Sequence, residues 1–157
     1  MAATTYKGEL GEAMVLADLQ RKGYGVAIPF GHDLPFDLVL IRRDTCALER
    51  MQCKYTKSDG KVIDVRCAST SAWVHHTYTA DEVDWIAVFD ATTERCYYVH
   101  SSTWSGMIRP TLRLTAAANG QSKGIRYADE FLYPELKGQP PSGATDPLAM
   151  LTDSSPE

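Results

Sequence analysis

The chain has 157 residues, of which 44% are apolar and 23% charged, and its formal net charge is −4. That length supports one domain with a real core, and no apolar run approaches the roughly 20 residues that span a bilayer. The start, MAATTYKGELGEAM, lacks the charged-then-apolar layout of a signal peptide, so a cytoplasmic protein with no membrane partner is expected.

Cys46, Cys53, Cys67 and Cys96 are unevenly spaced and form no CxxC, which argues against a structural zinc site or a disulfide framework. They read as reduced, small and buried. The charge is unevenly spread. Beyond Gly138 there are three acids and no base, so the tail carries three of the four net negatives. From Arg42 to Arg66 seven bases face four acids, and from Ser105 to Arg126 there are four bases and no acid. The two basic segments suit either a phosphate-facing surface or two solvated faces.

In chain order, Thr5 to Lys22 reads as a helix. Leu10, Ala13, Met14 and Ala17 follow its apolar spacing, Thr4 or Thr5 is the N-cap, and Gly23 is the stop. YGVAIP is a short strand, GHDLP a loop, and FDLVLIRR a strand with an apolar centre that suggests burial on both faces. After a turn at Asp44-Thr45, CALERMQCKYT is the next strand. KSDGK is a turn, and VIDVRCAS is expected as a third antiparallel strand. STSAWVHHTYTADEV reads as a loop or short helix. DWIAVFD and RCYYVH form a hairpin around ATTE, with Trp85, Phe89, Tyr97 and Val99 in the core. TLRL is a short strand, and GIRYADEFLYPEL ends the domain with a short helix. Residues 1–137 are thus read as one α/β (α+β) domain and 138–157, rich in Pro, Gly, Ser and Asp, as a disordered tail.

Three polar groups sit within the strand pair: Asp37, Gln52 and Lys54. Gln52 and Lys54 share one face of their strand. A two-residue turn at Asp44-Thr45 makes paired residue numbers sum to 89 and puts Asp37 opposite Gln52, about 5 Å apart. A turn longer by two residues would move the partner to Lys54 and keep all three on one face, whereas one longer by one residue would break the convergence. Glu9 and Glu12 lie three apart on the helix, and one of them can reach the same patch. Two acids and an amide oxygen suit a hard cation such as Mg²⁺, and a lysine beside it can position or deprotonate a water. Read individually, the same residues also fit a strand edge, a solvated strand face and favourable helix-dipole acids.

This order of elements resembles the PD-(D/E)xK nuclease superfamily, the restriction-endonuclease-like fold. GELGE looks like its upstream acidic motif and PFD like its PD motif, with one residue inserted between proline and aspartate. QCK looks like its (D/E)xK motif, with Gln52 in the acid's place. The glutamine variant, with KGELGEAMVLADLQRKGYGVAIPFGHDLPFDLVLI, most resembles the small homing endonucleases associated with group I introns, over roughly Tyr6 to Leu136.

The resemblance implies a mixed central β-sheet flanked by helices, and metal-dependent hydrolysis of double-stranded DNA. Asp37 is then the principal metal ligand. Glu12 completes the site, with Glu9 as the other candidate, and Gln52 ligates through its side-chain oxygen. Lys54 acts on the water or the phosphate. Mg²⁺ is the implied ion, with Mn²⁺ as a substitute, and a homo-oligomer (dimer or tetramer) would place active sites on both strands. Arg42, Arg43, Lys57, Lys61, Arg109 and Arg113 are the candidate phosphate contacts. His75-His76 beside Trp73 and Tyr78 are candidates for DNA contact; on a strand they would point to opposite faces and not chelate jointly, while in a loop joint metal binding stays open. His32 and Asp33 precede LPFD and can rim the site. A Holliday-junction-resolvase-like nuclease and a non-catalytic DNA-binding module are the alternatives.

Overall fold

A computed structural model describes residues 3–71, 74–121 and 123–136. Helix α1 (Ala3–Arg21) is followed by strands β1 (Gly25–Ala27), β2 (Leu38–Ile41) and β3 (Leu48–Thr56). Next come β4 (Val62–Asp64), β5 (Ala68–Ser71), β6 (Val74–Thr77), β7 (Trp85–Asp90) and β8 (Arg95–His100). Helix α2 (Ser101–Trp104), β9 (Thr111–Arg113) and a 3₁₀ turn (Ala128–Phe131) complete the order. The expected tail at 138–157 lies outside the described residues, as does Trp73.

The main sheet has five strands in the order β1-β2-β3-β7-β8. All neighbours are antiparallel except β3 and β7, which run parallel. This is the mixed sheet expected, but with a different neighbour for β3. The expected third antiparallel strand, VIDVRCAS, splits in two: β4 pairs with β9, and β5 pairs with β6. The segment expected as a loop or short helix contains β6 instead.

Each face of the sheet is covered by its own core. On one side α1 buries Val15 and Leu19 against Leu38, Leu40, Met51, Cys53, Trp85, Ala87 and Tyr98. On the other, Ile63, Val65, Cys67, Tyr78, Val83, Trp104, Leu112 and Phe131 cover Ile86, Val88, Tyr97 and Val99. Two covered faces explain why β7 is buried at every position and why its sequence reads as a continuous apolar run.

Helix α1 ends where a glycine stop was expected. Gly23 has φ 84°, and Tyr24 N–H donates to the Leu19 carbonyl while Gly23 N–H donates to that of Gln20, which is a Schellman end. Two details differ from the sequence reading. The helix begins at Ala3, so Thr4 and Thr5 lie inside its first turn rather than capping it. Its buried line is Gly11, Val15 and Leu19, while Ala13 and Ala17 are exposed. At Gly11 the helix crosses β3: a Cβ there would lie 3.3 Å from both Tyr55 Cβ and Tyr55 N. Apolar counting misses this position, because the residue that permits the approach has no side chain. Cys46 is exposed and the other three cysteines are buried, all four being free thiols.

Candidate active site

The turn between β2 and β3 is longer than two residues. Arg42 N–H donates to the Ala47 carbonyl at 2.9 Å, Cys46 N–H donates to the Arg42 carbonyl at 2.8 Å, and Cys46 takes φ 59°. The extra residues fall symmetrically, one on each side of Asp44-Thr45. The pairing therefore keeps its sum of 89 from Leu38↔Met51 to Ile41↔Leu48. Asp37 then leaves the ladder: its N–H donates to the Met51 carbonyl at 2.9 Å, one residue short of the register. Such a step re-aims a side chain at a strand end. Asp37 Oδ2 accepts from Cys53 N–H at 2.8 Å and from Gln52 Nε2.

Gln52, buried, and Lys54, half-buried, project from the β3 face opposite α1. Lys54 Nζ donates to Tyr78 Oη at 3.1 Å and lies 4.8 Å from the centre of that ring. Tyr78 is 6% exposed and belongs to the core on that face. It was missed as a site residue because the β5–β6 excursion that brings it over Lys54 has no local sequence signal.

Glu12 follows the Gly11 crossing. Burial raises its carboxyl above the ordinary range, and the charges of Asp37 and Glu9 raise it further. Asp37 is also raised, by burial, against the lowering effects of the Cys53 N–H, the Lys54 charge and the Gln52 amide. The Cys53 thiol is pushed well up by burial and by Asp37 and Glu12, which leaves it inert. Asp37 is thus hydrogen-bonded to Gln52 and in electrostatic reach of both Lys54 and Glu12, the last of these on the exposed surface of α1.

Among the described residues, no three of His, Cys, Asp and Glu gather as a metal cluster. The donor set fits an ion that keeps much of its water. Two carboxylates held partly out of water and raised above their ordinary range would be relieved by a hard cation, and Mg²⁺ is commonly held by one or two carboxylates. Gln52 departs from the sequence expectation in one respect. It turns an amide N–H, rather than its oxygen, to Asp37, so oxygen ligation beside Asp37 requires the amide to turn over.

The candidate phosphate contacts divide. Arg43, Lys57, Lys61 and Arg109 are exposed and Arg113 is half-buried. Arg42 must be removed from the set. It is 8% exposed and donates to both Glu49 oxygens at 2.8 and 2.9 Å, to Glu135 at 3.0 Å and to the Pro134 carbonyl at 2.7 Å. Its charge is spent inside the protein, where counting bases along the chain cannot see it. Arg109, with Lys54, Thr56, Asp64, Arg66 and Thr70, lines an open groove of about 490 Å³. Of the histidine pair, His76 meets Glu82 at 3.1 Å and His75 meets Thr70 at 3.2 Å, on opposite faces of β6 rather than in a loop. His32 and Asp33 are exposed in the loop before Asp37.

A mixed sheet covered on both faces, with an aspartate, an amide and a lysine meeting beside a helix-borne glutamate, has the layout of a nuclease. A family model described as PD-(D/E)XK endonuclease matches residues 2–134, and the chain belongs to that family. Among solved structures it is similar to a bacterial homing endonuclease, I-Ssp6803I. The TM-score is 0.60 at 20% identity, over 83% of this chain and 88% of that one. At that identity the likeness concerns the fold. No curated protein matches the chain. Among the described residues no helix is long and apolar enough to cross a membrane.

Proposed function

We propose that the protein is a Mg²⁺-dependent endonuclease that hydrolyses phosphodiester bonds of double-stranded DNA, in the manner of a homing endonuclease. The observation that carries this reading is the meeting of Asp37, Gln52 and Lys54 within reach of Glu12. Asp37 and Glu12 would hold the ion, Mn²⁺ serving as a substitute, with Gln52 joining if its amide turns over. A bound divalent ion supplies Lewis-acid polarisation of the phosphate and a lowered pKa for water.

The chain's own residues do the rest. Cys53 N–H and the Gln52 amide hold the Asp37 carboxylate in one orientation. Tyr78 holds the Lys54 ammonium over its ring, where it can orient the attacking water or stabilise charge on a phosphoryl oxygen. Arg43, Lys57, Lys61, Arg109 and Arg113 contact phosphates, each adding about 0.9 to the slope of log affinity against log salt. A dimer or tetramer would bring sites to both strands.

Cleavage of mixed duplexes with Mg²⁺ should be lost in Asp37→Ala and Lys54→Ala. Variants that cut as well as the wild type, or a wild type that nicks nothing, would overturn the proposal. Four-way junctions run beside linear duplexes test for a resolvase-like preference. One observation favours a second reading, a non-catalytic DNA-binding module: Gln52 turns its amide N–H, not its oxygen, toward Asp37. Such a module would hold DNA equally well in EDTA, and Asp37→Ala would leave its affinity unchanged.

A further inference from the structure

Strands β5 and β6 form a two-stranded ribbon apart from the main sheet. It joins the body at a neck where the buried Tyr78 donates its N–H to the carbonyl of the buried Cys67 at 3.0 Å. Cross-strand partners share a face, and the pairs Ser69↔His76 and Thr70↔His75 therefore define opposite sides.

The His76 side is turned to the body. The His76 ring packs edge-on against Tyr78, with centroids 5.6 Å apart, and its Nε2 meets Glu82. The Thr70 side is different. Arg66 Nη2 donates to Thr70 Oγ1 at 3.0 Å, and that hydroxyl lies 3.2 Å from His75 Nδ1. Arg66, Thr70 and His75 are all exposed. They form a row of donors and acceptors whose other contacts are left to solvent or a ligand. Arg66 and Thr70 also line the groove that contains Lys54, and that lining carries three bases, Lys54, Arg66 and Arg109, against one acid, Asp64.

We infer that this ribbon face enters the major groove of duplex DNA and reads base edges through Thr70 and His75, with Arg66 at its flank; the inference rests on the endonuclease reading above. Paired strands lie about 4.8 Å apart, and a ribbon of that width with side chains attached fits a major groove about 12 Å wide. Thr70 can donate to or accept from any base pair, and His75 offers a ring nitrogen to a purine edge. The groove's positive lining attracts the backbone beside the bases being read. Because the row continues into the groove at Lys54, a duplex seated on the ribbon brings its backbone to the candidate active site.

The test uses a pool of duplexes randomised through their central stretch. The full chain and its Thr70→Val, His75→Ala and double variants each select from that pool, and both the bound and the cut fractions are sequenced. Both side chains are exposed, so the variants should fold, which unfolding curves check. The wild type should enrich particular bases at a short run of positions. The variants should lose roughly ten-fold of that discrimination at those positions alone, while Lys54-dependent cleavage continues on the broadened set. A double variant that still cuts and enriches the same bases at the same frequency overturns the ribbon inference and leaves the endonuclease reading standing. A wild type that neither binds nor cuts any duplex overturns both.

Discussion

Replacing Arg42 by methionine should unfold the protein at a markedly lower temperature and leave the electrostatics of DNA binding untouched. Among the described residues the guanidinium donates two hydrogen bonds to Glu49, one to Glu135 and one to the Pro134 carbonyl. It also lies 5.8 Å from the Tyr24 ring and 5.9 Å from that of Trp85. Methionine fills much of the aliphatic stem but leaves two carboxylates facing each other. Breaking a buried ion pair from one side costs about 3–5 kcal/mol. Glu49 and Glu135 retain 25% and 12% side-chain exposure, so water recovers part of that, and about 3 kcal/mol is the expected loss. At roughly 2–4 °C per kcal/mol for a chain of this size, the midpoint falls by about 6–12 °C. Thermal unfolding measures this. A parallel salt titration of DNA affinity should give an unchanged slope, whereas loss of a phosphate contact would lower it by about 0.9. An unmoved midpoint with a shallower salt slope would refute the buried-clasp account and return Arg42 to the DNA surface.

Other perturbations test the site and its supports. Asp37 and Glu12 both titrate above their ordinary values, so their contribution to stability is fully present below about pH 4 and is lost as pH rises through the raised values. At neutral pH, Asp37→Asn should therefore abolish cleavage yet leave the metal-free protein at least as stable. It should also erase the stabilisation, about 2.7 kcal/mol for an ion at 100 times its Kd, that Mg²⁺ gives the wild type in a melt. Tyr78→Phe keeps the ring over Lys54 but removes the hydroxyl. Loss of that one hydrogen bond, about 1 kcal/mol, should lower kcat several-fold at an unchanged KM and melting temperature, while a fall in melting temperature at unchanged kcat would make Tyr78 purely structural. Gly11→Ala gains roughly 1 kcal/mol of helix propensity, but its Cβ presses on the β3 backbone. Melting should change little while cleavage drops through displacement of Glu12. Asp90 is fully buried. Burial alone would raise it, but hydrogen bonds from Ser58, Thr92 and Thr93 outweigh that and lower it. Its contribution is present above about pH 4 and lost as pH falls below. Asp90→Asn should cost about 1.5–3 kcal/mol at neutral pH and flatten the acid limb of a urea-denaturation series.

The sequence was informative wherever neighbours along the chain decide the structure. The β7–β8 hairpin follows from two apolar runs flanking ATTE, and α1 ends at its glycine. The β2–β3 register held although its turn was misjudged, because adding one residue on each side preserves the pairing. Partners distant in sequence were not legible. Nothing in the polar stretch VHHT says that β6 exists, since a strand exposed at every position needs no apolar periodicity. Nothing local to β3 names β7 as its parallel neighbour, because the crossover between them runs from Lys57 to Asp84. Parity brought Asp37, Gln52 and Lys54 together. Tyr78 could not be added, because its place over Lys54 is set by that crossover. Arg42 failed for the complementary reason: a count of charges along the chain carries no information about depth.

The neck at Cys67 and Tyr78 has an evolutionary consequence. Both residues are anchored in the core, and Cys67 N–H is further tied to the Ile108 carbonyl at 3.1 Å. Beyond them the described side chains from Thr70 outward face solvent. Substitutions at Thr70 and His75 leave untouched the packing that holds the sheet, whereas His76, which packs against Tyr78, stays tied to the body. A lineage can drift through new target sequences at Thr70 and His75 with little penalty in stability, and an engineer can randomise those positions without first redesigning the domain that carries them.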